Sequence, residues 1–134
     1  MVRIFTSKEL KESLGELKTK SLVDDFRAYK NGKGLPATFG RDVPYDFTHS
    51  RSYLELQHLH FKERGFSLKL VQFRRTSGYV LVYCPGFFDR TIFLLIAIIK
   101  HWDYRKPNEV DGTDRDSNLM TRLESISEGF REKF

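Results

Sequence analysis

Between Thr91 and Lys100 the chain reads TIFLLIAIIK, with eight apolar side chains in an unbroken row from Ile92 to Ile99. Successive side chains of a strand point to opposite faces, so a strand of this composition needs cover on both sides. The run is too short to cross a bilayer, which takes roughly 20 residues. It therefore predicts a strand in the middle of a sheet, and the rest of the chain must supply the neighbours and the cover. With 134 residues there is length for one domain, spanning 1–134, with a single modest core. Twelve Phe side chains help to fill it, since large rings bury much area per residue.

The N-terminal part predicts helices. Val2 to Phe5 reads as a short strand, and Thr6-Ser7-Lys8-Glu9 has the hydroxyl-to-glutamate spacing of a capping box, with Thr6 at the cap. Leu10, Leu14 and Leu17 follow on one helical face. A second helix is expected after Thr19 to Ser21, burying Leu22, Phe26 and Tyr29 and stopping at Gly32, so that the two form a helical hairpin. Residues 33–52, with Gly34, Gly40, Pro36 and Pro44, read as a long loop of the kind that often carries function. Strands are expected over Leu54–His60, Leu68–Arg75 and Tyr79–Cys84, the last after a tight turn at Ser77-Gly78. Asn118 to Phe134 closes the chain as a helix with Leu119, Leu123, Ile126 and Phe130 on one face. The expected fold is α+β, with helices packed on one side of a mostly antiparallel sheet.

Charge narrows the partners. Residues 1–40 carry eight basic and five acidic side chains, residues 41–100 nine and five, and residues 101–134 six and eight, giving +3, +4 and −2. A basic body suits a polyanion such as RNA, and equally an ordinary solvated surface. Cys84 is the sole cysteine, so no internal disulfide or cysteine-based zinc site can form, and a reducing cytoplasm is the expected home. The early charges in MVRIFTSKEL do not suit a secretory signal, and no membrane association is expected.

In QHLHF, His58 and His60 are two residues apart. On a strand they share a face about 7 Å apart, whereas on a helix they do not. Imidazole serves as base or acid near neutral pH, so such a pair can flank a phosphate. Two buried structural rings are the alternative. So is a metal site, for which His49, His101 or carboxylates would have to supply further ligands at spacings that point to none of them. Of Arg74 and Arg75, adjacent on one expected strand, only one can face such a site. Arg41 can grip RNA backbone or pair with Asp42. Tyr83 alternates with Leu81 and can reach the histidine face or fill the core. Arg115 and Arg131 are weaker candidates for RNA contact, and Asp116 can cap the last helix.

Several segments, taken in order, resemble the YafO family of type II toxins, and through it the wider RelE-type toxins. They are Phe39-Gly40-Arg41-Asp42, His58-Leu59-His60, Gln72-Phe73 with Arg75-Thr76, and Leu81-Val82-Tyr83-Cys84. Leu94-Leu95-Ile96-Ala97-Ile98, Arg115-Asp116 with Asn118 and Met120, and Phe130-Arg131 with Phe134 complete the set. The resemblance implies a small RelE-like sandwich held inactive by a cognate antitoxin. It implies an endoribonuclease that cuts messenger RNA on the ribosome with no metal and no cofactor, and it favours Arg75 over Arg74 at the chemistry beside His58 and His60. Where the family pattern has a histidine soon after the last strand and then Ala-Arg-Asp, this chain has His101 at the strand end and Gly112-Thr113-Asp114 before Arg115. Two readings from other classes stand beside it, a non-catalytic RNA- or ribosome-binding module and a small His-ligated metalloenzyme.

Overall fold

The computed structural model describes residues 1–45 and 52–134. Five strands, β1 (Arg3–Thr6), β2 (Phe39–Pro44), β3 (Gln57–Phe61), β4 (Tyr79–Pro85) and β5 (Ile92–Lys100), form one sheet in the order β1-β5-β4-β3-β2. β1 runs parallel to β5 and every other pairing is antiparallel. The apolar run is β5, flanked on both edges as its composition requires. Its side chains divide between two cores. Leu94, Ile96 and Ile99 pack with Met120 and Leu123 of α3 (Ser117–Lys133). Leu95 packs with Leu10 of α1 (Lys8–Leu14) and with Leu22 and Phe26 of α2 (Glu16–Lys30). The helices therefore cover both faces, not one. A sheet whose central strand is apolar on both sides cannot leave one face to water.

The hairpin differs from the sequence pattern in detail. Ser7, not Thr6, caps α1, its hydroxyl accepting the Leu10 N–H and donating to the Ile96 carbonyl. Gly15 takes a positive φ of 82° and separates the two helices, so α2 begins at Glu16 and Leu17 projects into solvent instead of continuing the Leu10–Leu14 face.

Two further expectations fail. The supposed loop 33–52 contains β2, and the supposed strand Leu68–Arg75 is irregular with a short 3-10 turn at Gln72–Arg74. The second failure has a simple cause. Leu68, Leu70, Val71 and Phe73 resemble a strand's apolar content but are exposed, and β2 takes the place beside β3. The connection from β3 to β4 is consequently long, and Ser77-Gly78 is its end and not a hairpin turn. β3 itself starts at Gln57, three residues later than expected, after a 3-10 turn at Ser52–Leu54. Asp116 does cap α3, accepting the Leu119 N–H.

Candidate functional site, a buried imidazole cluster

Sheet register assembles the site. His58 pairs with Val82 and His60 with Val80, and Val80 pairs in turn with Ile99 of β5. Val80, Val82 and Ile99 all face the α3 core, so both imidazoles lie on that face. His101 follows Ile99 by two residues and reaches the same face, and its N–H extends the ladder by donating to the Gly78 carbonyl. Ring centroids are 6.1 Å apart for His58–His60, 5.9 Å for His58–His101 and 5.0 Å for His60–His101. His58 and His60 are buried, while the His101 side chain keeps 37% of its exposure and forms the cluster's opening to water.

The second layer comes from Tyr45 and Asp114. Tyr45 stacks on His58 with centroids 4.1 Å apart and planes 13° apart, and its hydroxyl donates to Asp114. A parallel bridge between Lys100 and Thr113 returns the 101–113 segment to the sheet, and this places Asp114. Its carboxylate accepts the Trp102 N–H and stands 3.8 Å from His101 Nε2.

Protonation differs ring by ring. Burial, followed by the neighbouring Asp114 and His101 charges acting in opposite senses, holds His58 at about 4. Burial, then His101 and His58, holds His60 at about 4, with Arg41's charge acting in the same direction. Both rings are neutral at pH 7. The Ser77 N–H donates to His60 Nδ1 at 2.9 Å, so the hydrogen of the neutral ring is on Nε2. His101 Nδ1 lies 2.9 Å from the Trp102 carbonyl, which accepts only if Nδ1 carries the hydrogen, leaving the lone pair on Nε2. His58 Nδ1 is buried with no hydrogen-bond partner among the described residues.

Nitrogens of the three rings lie within 4.8 Å of one another. Zinc bound at about 2.0–2.1 Å would need a lone pair from each ring. His60 has its Nδ1 lone pair committed to a backbone amide and a hydrogen on Nε2, so the donor set as folded does not fit the metal reading. His49 lies outside the described residues.

The other sequence candidates are dispersed. Arg41 is close enough for its charge to act on His60, and its guanidinium lies 4.0 Å over the Phe73 ring. Arg74 is exposed. Arg75 is buried, its guanidinium donating to the Leu70 and Phe39 carbonyls, so it fastens a loop behind β2. Tyr83 points to the opposite face, where its hydroxyl donates to Asp42 and accepts from Lys30. Arg115 is exposed and stacks over Trp102. Arg131 is buried, donating to the Pro85 and Tyr53 carbonyls and to Glu55. His101, Asp114 and Tyr45 are the members that sequence reasoning did not place. The one available signal was His101's position directly after a strand that pairs beside β3's partner.

Fold and cluster thus define a small α+β protein with a largely buried histidine cluster on one face of its sheet. The model of the family described as "Toxin YafO, type II toxin-antitoxin system" matches residues 27–132. The curated "mRNA interferase toxin YafO" of Escherichia coli (strain K12) is 34% identical over 139 residues, covering 99% of this chain and 100% of that protein. No solved structure gives a significant match. The chain belongs to the YafO family of type II toxin–antitoxin toxins.

Proposed function

We propose that this toxin is an endoribonuclease that cuts messenger RNA as it is translated in the cytoplasm, by metal-independent acid–base chemistry at the histidine cluster, and that a cognate antitoxin restrains it. The observation that carries the reading is the convergence of three imidazoles beside a carboxylate.

The roles follow from tautomers. His101 is the most accessible ring and has its lone pair on Nε2, so it suits removal of the 2′-hydroxyl proton. The Asp114 carboxylate stands 3.8 Å from that nitrogen. His60 is locked as an Nε2–H donor and suits orienting a phosphate oxygen. His58 has an Nδ1 with no hydrogen-bond partner among the described residues. A phosphate brought against it adds negative charge that favours its protonated form, so the acid for the leaving 5′-oxygen arises with substrate present. Arg41 offers positive charge to the phosphorane. Attack by the 2′-hydroxyl leaves a 2′,3′-cyclic phosphate or a 3′-phosphate. A site with so few groups benefits if the ribosome holds the message in line, as the family resemblance implies.

The test maps message ends by primer extension in a reconstituted translation system, with and without ribosomes. New ends that require ribosomes support the reading. Blocked translation with intact message would replace it with a non-catalytic ribosome binder.

A further inference from the structure

From Arg64 to Phe88 the chain contains four cationic side chains, Arg64, Lys69, Arg74 and Arg75, and no aspartate or glutamate. The middle of this stretch projects large apolar groups into water: Leu68 is 76% exposed, Val71 68% and Phe73 63%. Such exposure in a loose loop would mean little, but this loop is fastened from below. Buried Arg75 donates to the Leu70 and Phe39 carbonyls, and Gln72 donates to the Gly40 carbonyl and the Tyr29 hydroxyl. The Arg41 N–H donates to the Arg75 carbonyl and Arg41 Nε to the Phe73 carbonyl at 2.7 Å. Gly40 lets the two backbones meet, since a Cβ there would lie 2.2 Å from the Arg75 oxygen. A buried arginine and a close glycine contact thus hold an apolar surface in place.

Charge and geometry together select what that surface fits. The Arg41 guanidinium lies 4.0 Å over the Phe73 ring, and most of the ring stays open. The charged residues of this loop, Lys69, Arg74 and Arg75, are all cations, and Arg41 joins them from β2. An exposed aromatic ring backed by a cation and set among cations is the arrangement that stacks unpaired bases while holding their phosphates. Arg41 also ties the platform to the histidine cluster, because it lies on β2, which pairs with the strand that carries His58 and His60.

We propose that Phe73, backed by Arg41, is a stacking platform for an unpaired nucleobase of the message, with Arg74 and Lys69 meeting adjacent phosphates. This rests on the endoribonuclease reading and specifies how the RNA is positioned. Phe73 is a binding residue, distant in role from the proton transfers.

The experiment compares wild type, Phe73→Leu and Phe73→Tyr in two assays. One is kcat/KM for cleavage of message on programmed ribosomes. The other is binding of an uncleavable single-stranded 2′-O-methyl RNA, read by fluorescence anisotropy at low salt. The platform predicts that Phe73→Leu loses about 5- to 150-fold in both, the range for one base–aromatic stack, and that Phe73→Tyr stays within about twofold. Equal cleavage and equal binding by all three overturns the platform and leaves the endoribonuclease standing. Absence of cleavage by wild type overturns the endoribonuclease reading, and the anisotropy series then decides the platform alone. Unchanged RNA binding in Phe73→Leu, whatever its cleavage rate, would also overturn the proposal.

Discussion

Lowering the pH from 7 to 4.5 should destabilise this protein through two particular side chains. In the fold His58 and His60 are held at about 4, and in the unfolded chain each returns to about 6.5. Between those values the unfolded state binds protons that the native state refuses. Stability is therefore fully present above about pH 6.5 and is lost as pH falls toward 4. A displacement of roughly 2.5 pK units corresponds to about 3–4 kcal/mol for one ring, and the two together set a ceiling of about 7 kcal/mol. The steepest slope is two protons, about 2.7 kcal/mol per pH unit. The groups facing the rings, His101, Asp114, Asp42 and Arg41, pull in opposite directions, so burial decides the sign. Urea denaturation at half-unit steps from pH 7.5 to 4.5 measures the effect, and a His58→Asn/His60→Asn double variant supplies the background from all other groups. The wild-type curve should fall by several kcal/mol more than the variant's. Parallel curves would refute the argument that these imidazoles are folded neutral.

Further outcomes follow from the same contacts. Gly40→Ala places a Cβ 2.2 Å from the Arg75 carbonyl oxygen and should cost about 1–3 kcal/mol, measured as a lowered urea midpoint with unchanged slope. Cys84 is buried and its thiol is pushed up to about 11, chiefly by burial, so native protein should not react with a thiol reagent at pH 8 until it is unfolded.

What the residues disclosed, and what they hid, divides along the range of the interactions. The β5 run announced a buried strand because its composition leaves no exposed face, and the His58–His60 spacing sufficed to put both rings on one side once a strand was assumed. The α3 face was equally legible through its helical period. Local pattern failed where the outcome was set at long range. Leu68 to Phe73 have strand-like content, yet β2 holds the edge beside β3, with a register irregularity between Phe39 and Asp42 that no local motif announces. The resemblance put Arg75 at the chemistry, and Arg131 stood as a weaker RNA contact, because an arginine in a basic chain suggests an open guanidinium. Both instead satisfy backbone carbonyls inside the fold. His101 belongs to the cluster only through cross-strand register, and Asp114 arrives by a bridge across 13 residues of sequence, from Lys100 to Thr113.

The most direct test of the account is single-turnover cleavage of a defined message on programmed ribosomes by His101→Ala and by Tyr83→Phe, each first shown to be folded. His101→Ala should lose about 10²- to 10⁴-fold in rate, the usual contribution of a positioned base. Tyr83→Phe, on the opposite face of the sheet, should retain most of the rate. Wild-type cleavage by His101→Ala would contradict the imidazole cluster as the site of chemistry, and collapse of Tyr83→Phe would move that site to the Lys30–Asp42–Tyr83 side.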